Sequence, residues 1–209
     1  IYRVHCPHAS SEEIKAKTLE LLKLVNLPER VYSLYPHEMS GGMLQRVAIA
    51  ISLLHHPQLL IFDEATTALD VVTQGQILKE ILEMEKTLAT TRIMITHDMS
   101  VVATTCNKVA VMYAGELMEL GLVKDVLVHP RHPYTQGLQG SFPSLKGENK
   151  TLTSIPGFLP DLSKPCEGCV FAPRCAHATE RCRKEKPPMF KTGEMGGAAC
   201  WLCEGHENG

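Results

Sequence analysis

The sequence predicts an α/β fold carrying a small, irregular, cysteine-rich C-terminal extension. Two short apolar runs, Leu59-Leu60-Ile61-Phe62 and Ile93-Met94-Ile95-Thr96, lie between segments of helical periodicity, the pattern of parallel strands covered on both faces. Both runs lead into ionisable residues, Asp63-Glu64 and His97-Asp98, at the carboxyl edge where open α/β sheets place their ligands. After His129-Pro130 the character changes: prolines at 130, 133, 143, 156, 160 and 165 punctuate a polar linker, and most of the cysteines follow it.

Each element has its own signal. Ser11 to Leu27 reads as a helix, with Ser11 as cap, Glu12 and Glu13 in the first turn, and Ile14, Leu19, Leu22 and Val25 as its apolar stripe. A polar, proline-interrupted connection runs from 26 to 40. Apolar residues at 43, 44, 47, 48, 51 and 54 then give a second helix with one wide buried face, ended by His55-His56-Pro57. Glu80 to Leu88 reads as helical and Met99 to Thr105 as a further short helix. Val109 to Tyr113 and Glu116 to Leu120, separated by Ala114-Gly115, predict an antiparallel hairpin closing the sheet. The expected organisation is a helical part over 1–57, a sheet part over 58–128, and a proline-rich linker with a cysteine-rich extension over 129–209.

Bulk properties narrow the function classes. Of 209 residues, 44% are hydrophobic, enough for a real core. Lys plus Arg total 21 against 23 acidic residues, a formal net charge of −2, so nothing global recommends nucleic acid. The longest apolar run, Val47 to Leu54, falls far short of the ~20 residues of a membrane-spanning helix. The chain opens on Ile1 with no charged-then-apolar leader, so the expectation is a fragment without a secretion signal. In that setting the Asn149-Lys150-Thr151 sequon is read as accidental, and the cysteine crowding suggests metal rather than disulfides.

Three stretches carry chemistry. Ser40-Gly41-Gly42 stands ahead of a helix, and a serine cap followed by glycines leaves the first amides bare enough for an anion to approach the positive helix end. An ordinary capped turn is the alternative. Asp63 could hold Mg²⁺ and Glu64 could orient and deprotonate an attacking water; successive strand residues point to opposite sides, so the two acids are expected to differ in role. A helix cap with a surface acid is the plainer reading of that pair. His97 ends the second strand, where it could sense a phosphate in the crevice of Glu64 or serve as a surface histidine. Ala68-Leu69-Asp70 follows the carboxylates closely enough to form a loop beside them.

In this order, SGGMLQR (40–46), LLIFDE (59–64), ALD (68–70) and ITHD (95–98) resemble the signature, Walker B, D-loop and H-loop motifs of ATP-binding-cassette (ABC) ATPases. Tyr35-Pro36-His37, Val71 and Gln74 after TTALD, His132-Pro133-Tyr134-Thr135, and Gly168-Cys169-Val170-Phe171-Ala172-Pro173-Arg174-Cys175 look like the peptide and nickel importer class. Gly42-Met43, in place of Gly-Gln, is more like the first of that class's two paired ATPase subunits. The resemblance implies the C-terminal part of a RecA-like P-loop ATPase domain with its helical subdomain. It implies ATP and Mg²⁺ as cofactors, Glu64 and His97 as catalytic residues, Asp63 as the Mg²⁺ ligand, and Ser40, Gly41, Gly42, Gln45 and Asp70 as nucleotide contacts. In this family two ATPase domains meet head to tail, so the bare helix start would serve a phosphate carried by another chain.

Two departures stand out. No Gly-x-x-x-x-Gly-Lys-Ser/Thr occurs in the sequence, and the glutamine loop expected upstream is also absent, so the chain alone is expected to be inactive. Ala65 replaces the proline usual after the catalytic glutamate.

The resemblance also implies an iron–sulfur cluster, [4Fe–4S], on Cys169, Cys175, Cys182 and Cys200. Spacing alone leaves zinc open, since Cys166-Glu-Gly-Cys169 and Cys200-Trp-Leu-Cys203 could form a four-thiolate site. Pro165 to Trp201 is poor in large apolar residues, so a metal centre is expected to replace a core there. Arg174, Arg181, Arg183, Lys184 and Lys186 make the tail locally basic, either as a solvated face or as a contact for anionic headgroups. The functional expectation is the ATPase subunit of a peptide importer at the cytoplasmic face of the membrane. Its expected partners are a second ATPase subunit, two transmembrane permeases and an extracytoplasmic solute-binding protein. The alternatives are a cytosolic cassette ATPase that remodels nucleic acid or ribosomes, and a non-catalytic metal-binding and dimerisation fragment.

Overall fold

Ser10, one residue before the expected cap, opens the first long helix. Its hydroxyl accepts the Glu13 N–H at 3.1 Å and its own N–H is donated to the Glu13 carboxylate at 2.7 Å, a reciprocal capping box. The computed structural model describes residues 2–67, 69–88, 90–141 and 154–205. Ala68, Pro143 and the Asn149-Lys150-Thr151 sequon lie outside the described residues. The chain separates into two compact units that meet in sequence at Val101/Val102.

The first unit holds α1 (Tyr2–His5), α2 (Ser11–Leu24), α3 (Gly41–Ser52), β1 (Leu59–Asp63), α4 (Val71–Thr87) and β2 (Thr91–Ile95). Leu21 and Leu22 of α2, Ile49 and Ala50 of α3, Phe62 of β1, and Ile77, Ile81 and Met84 of α4 form one buried apolar cluster, completed by Val25, Leu27, Val31, Leu53 and Leu54. The stripe read from the sequence holds in part: Leu22 and Val25 at the end of α2 and Leu54 after α3 are buried and Met43 and Val47 pack against the cluster, but Leu44 and Ile51 are 40% and 44% exposed and α3 buries Ile49 and Ala50 instead.

β1 and β2 are parallel and in register from Leu59↔Thr91 to Asp63↔Ile95, which brings the two carboxyl ends side by side. The strands are covered on one face only, contrary to expectation. Leu60, Phe62 and Met94 pack with the helices, whereas Leu59, Ile61, Ile93 and Ile95 stand 48%, 57%, 47% and 49% exposed. Pleat alternation sends every second residue away from the helices, and among the described residues of this unit nothing covers that side.

α5 (Met99–Thr105) crosses the junction. The second unit continues with β3 (Lys108–Tyr113), β4 (Glu116–Leu122), α6 (Val123–Val128), α7 (Pro133–Gly140), α8 (Glu180–Lys184), β5 (Phe190–Lys191) and β6 (Gly197–Ala198). Ala114 and Gly115, both at positive φ (50° and 82°), join β3 to β4 as a two-residue turn matched to strand twist. The hairpin does not extend the β1–β2 pair. It belongs to a separate antiparallel sheet of order β3-β4-β6-β5, built with strands from the cysteine-rich segment.

That segment also contributes apolar packing, which corrects the expectation that metal alone must order it. Val170 and Phe171, 3% and 2% exposed, form a buried cluster with Tyr113 and Met118 of the hairpin, against which Tyr134, Ile155, Cys169 and Cys175 pack. Composition over 165–201 conceals this, because the partner aromatics come from elsewhere in the chain. Arg174 fastens the linker to the same cluster. Its guanidinium donates to the carbonyls of Pro156 (2.8 Å) and Ile155 (2.9 Å) and to the Tyr113 hydroxyl (3.2 Å).

Candidate functional site

The strand tips supply the most reactive pair. His97 Nδ1 lies 3.0 Å from Glu64 Oε1, with both side chains open to solvent. A carboxylate only accepts, so the shared proton belongs to His97 Nδ1. The His97 hydrogen bond, then a second from Thr67, holds the Glu64 carboxyl below its ordinary range, so the group is ionised at neutral pH. Glu64 lies one residue beyond β1, in the left-handed region at φ 47°, so the expected alternation with Asp63 does not set its direction. Such a conformation costs about 1–3 kcal/mol in a non-glycine residue. The Glu64 N–H, donated to the Ile95 carbonyl at 2.9 Å, offsets part of that cost and ties the turn to the neighbouring strand. Asp63 is the last residue of β1, exposed and paired with Ile95.

Asp98, next to His97, accepts from the Ser100 N–H and hydroxyl at 2.8 and 2.6 Å and from Gln74 Nε2 at 3.2 Å. Gln74 therefore links α4 to the loop that carries the histidine.

The bare helix start is α3. Ser40 caps it, accepting the Met43 N–H at 3.3 Å, and Gly41 is exposed. Gly42 is buried, and a Cβ there would meet Thr73 Cγ2 at 2.7 Å, so this glycine allows close approach of α3 to the start of α4. Asp70 caps α4: one carboxylate oxygen accepts the N–H groups of Val72 and Thr73 (3.1 and 2.9 Å), and the other accepts the Thr73 hydroxyl at 2.6 Å. Arg46 and Glu80 lock the same two helices with a bidentate, mostly buried ion pair at 2.8 and 3.0 Å. The residues expected to contact nucleotide thus form one assembly, with Gln45 half-buried on α3. Among the described residues, Ser40, Gln45 and Asp70 make no hydrogen bond to Glu64 or His97.

In the second unit Cys169, Cys175, Cys182 and Cys200 together line a cavity of about 140 Å³, with His132, Phe171 and His177 also in its wall. Gly168 permits this grouping. A Cβ there would collide with the backbone of Cys182 and Arg183, and the close approach lets the Cys169 N–H reach the Cys182 carbonyl at 2.7 Å. Burial pushes the Cys169 and Cys175 thiols up. A hydrogen bond between Cys200 and Cys203 raises the first and lowers the second. Cys166, exposed, instead donates to the Gly168 carbonyl at 3.3 Å. Among the described residues, no three His, Cys, Asp or Glu side chains converge closely enough to hold a single metal ion.

Two buried polar residues went unassigned in the sequence. Glu119, inside β4 and 1% exposed, accepts the N–H groups of Arg131 (2.8 Å) and His132 (3.0 Å). His132, also 1% exposed, caps α7 by accepting the Tyr134 N–H on Nδ1 at 3.0 Å, and burial pulls its pKa to about 4. Glu119 interrupts an otherwise apolar run after Glu116 in the strand Glu116–Leu122, and that polar interruption was the available signal. No helix among the described residues is long and apolar enough to cross a membrane.

Residues 5–67 match the ABC transporter family, and residues 118–182 match the C-terminal region of oligopeptide/dipeptide transporters. The oligopeptide transport ATP-binding protein OppD of Bacillus subtilis is 46% identical over 196 residues, covering 92% of this chain and 55% of the relative. OppD of Escherichia coli is 48% identical over 190 residues, covering 89% and 56%. The chain therefore spans about half the length of the curated relatives it matches. Among solved structures, a dimeric ATP-binding cassette in a post-hydrolysis state with ADP and phosphate aligns with a TM-score of 0.50 at 31% identity, over 55% of this chain and 49% of that one. The Clostridium perfringens cassette cbiO1 aligns with a TM-score of 0.51 at 33% identity, over 58% and 48%. The motifs, the strand-tip geometry and identity running through both units agree: the chain belongs to the ATP-binding-cassette family, in its oligopeptide/dipeptide transporter class.

Proposed function

We propose that this chain forms part of an ATP-hydrolysing subunit that energises a peptide importer from the cytoplasmic face of the membrane. Its partners would be a second, non-identical cassette subunit, two transmembrane permeases and an extracytoplasmic solute-binding protein. The observation that carries the reading is the 3.0 Å contact between Glu64 and His97 at the tips of adjacent parallel strands. The names of the relatives, oligopeptide and dipeptide transport ATP-binding proteins, supply the substrate class. No observation favours action on nucleic acid or ribosomes.

The geometry supports the following roles. Glu64, ionised and oriented by His97, holds a water in line with the reacting phosphoryl group and accepts charge as its proton leaves. His97 keeps that carboxylate aimed, and its Nε2 is left to meet a phosphate oxygen. Bound Mg²⁺ would neutralise charge on the phosphates, with Asp63 its ligand at the strand end. Ser40 and the Gly41 amide present the positive end of α3 to a phosphate held by the partner cassette, with Gln45 and Asp70 flanking it. The proposed functional division remains a signature part over 1–57, a sheet part over 58–128 and a linker with the cysteine-rich extension over 129–209. A subunit extended to the length of its relatives, assembled with its partners, should hydrolyse ATP in a transport-coupled manner. Normal peptide-stimulated turnover by His97→Ala and Glu64→Gln variants would overturn the reading.

We also propose that Cys169, Cys175, Cys182 and Cys200 hold a [4Fe–4S] cluster. A single zinc ion draws four sulfurs to about 2.3 Å from one point, whereas a cluster spreads its thiolates over separate irons. Cys169, Cys175, Cys182 and Cys200 lining one cavity support these four as the ligand set, and Cys166 and Cys203 lie outside that wall. The protein purified anaerobically should be brown, with roughly four irons per chain. Cys175→Ser should bleach it and Cys166→Ser should not. Colourless protein with stoichiometric zinc, lost on changing Cys166 and Cys203, would overturn the assignment.

A further inference from the structure

We propose that His132 donates a hydrogen bond from Nε2 to a sulfur of the metal centre held by Cys169, Cys175, Cys182 and Cys200. It would act as a positioning residue that tunes and shields that centre. The inference rests on the cluster reading above.

A backbone N–H can only donate, so the Tyr134 N–H at 3.0 Å fixes His132 Nδ1 as an acceptor. The single proton of the neutral ring is then on Nε2. The ring is 1% exposed and forms part of the wall of the cavity that the four cysteines line. Nδ1 is taken by the Tyr134 N–H, so Nε2 is the ring donor left, and the four cysteines make thiolate or sulfide sulfur the acceptor chemistry this cavity offers.

Three further contacts keep the ring in place. Glu119, itself 1% exposed, accepts the N–H groups of Arg131 and His132 and so anchors the backbone on either side of the Arg131–His132 bond. Pro133 begins α7 directly after the histidine, limiting the backbone there. Phe171, two residues beyond Cys169, packs its ring 5.8 Å from the imidazole. The histidine is therefore held by the segment that carries one of the thiols. Hydrogen bonds to cluster sulfurs raise reduction potential and limit solvent attack, so the Nε2 donor would make the centre easier to reduce and slower to bleach.

The test uses the full chain, purified anaerobically with ¹⁵N-histidine and chemically reduced. Pulsed electron paramagnetic resonance should show a ¹⁵N coupling to the cluster. That coupling should vanish in His132→Leu and persist in His177→Asn, the control for the other histidine in the wall. His132→Leu should retain four irons, show a lower midpoint potential and bleach several-fold faster in air, and His132→Gln should recover part of both effects. Wild-type protein without iron defeats the cluster reading itself. Brown wild-type protein with no ¹⁵N coupling, or a coupling unchanged in His132→Leu, defeats the role of His132 and leaves the cluster standing. The wild-type measurement decides the matter even where a variant does not fold.

Discussion

At the scale of single residues, Glu64 shows how sequence and geometry divide the information. Its place at the strand end was legible, because an apolar run closed by a carboxylate pair marks the carboxyl edge of an α/β sheet, where ligands are expected. Its conformation was not, because a left-handed φ at a non-glycine residue leaves no trace in periodicity. The outcome is a carboxylate ionised, aimed by His97 and set on a strained turn. In the complete subunit, Glu64→Gln should preserve the shape and the hydrogen bond to His97 while removing the base. Turnover should fall about 10²-fold or more with MgATP binding retained, measured by steady-state hydrolysis beside equilibrium binding. A second residue-scale prediction concerns Gly42. Ala there would meet Thr73 Cγ2 at 2.7 Å, so Gly42→Ala should destabilise the first unit by about 1–3 kcal/mol, as overpacking does. Thr73→Ser removes that methyl but keeps the hydroxyl that Asp70 accepts at 2.6 Å, so the double variant should recover most of the loss. Additive effects in denaturant titrations would show that the glycine serves the phosphate site alone.

At the scale of elements, α2, α3 and both parallel strands were legible within a few residues, since each carries a full apolar period. The largest miss was the start of α4, expected at Glu80 and found at Val71. Two valines, a threonine and Gly75 depress helix propensity over that turn. Tertiary contact overrides them, through the Asp70 cap, the approach of Gly42 to Thr73 and the Arg46–Glu80 pair. That ion pair makes α3 and α4 one body, joining the signature start to the Asp70 loop. Glu80→Gln leaves the Arg46 guanidinium mostly buried without its charge partner and should cost about 1–3 kcal/mol. In the complete subunit it should also weaken nucleotide-dependent association of the two cassettes more than nucleotide binding to the isolated subunit. Equal losses in both would reduce the pair to a purely stabilising role. The sheet of the second unit was only half legible. The hairpin declared itself through Ala114-Gly115, but the two-residue strands β5 and β6 are too short to show alternation, and the pairing of β6 with β4 is a long-range contact.

At the scale of the whole molecule, the chain spans about half the length of its relatives, and one face of the β1–β2 pair is open among the described residues. Leu59, Ile61, Ile93 and Ile95 are each about half exposed, although strands of this kind are ordinarily sandwiched. The sequence signalled strands buried on both faces; the residues described here supply only one cover, and that is why the expectation and the structure part company. The proposed function bears on ligand binding in the same way, since no phosphate-cradling glycine motif occurs in the sequence and the start of α3 is proposed to meet a phosphate held by another chain. Calorimetry of the 209-residue chain with MgATP should therefore show no saturable binding, and a micromolar dissociation constant would overturn the proposed division between chains. The sheet face should respond in opposite directions in the two contexts. Replacing Ile61 and Ile93 with Thr should reduce self-association of the 209-residue chain in analytical ultracentrifugation, because it removes exposed apolar area. In a subunit extended to the length of its relatives, the same pair of changes should lower stability by about 1–3 kcal/mol per site, because the face is then buried and each hydroxyl lacks a partner. An extended subunit indifferent to both substitutions would show that the added segment leaves this face open, and the covering of the sheet would have to come from another polypeptide.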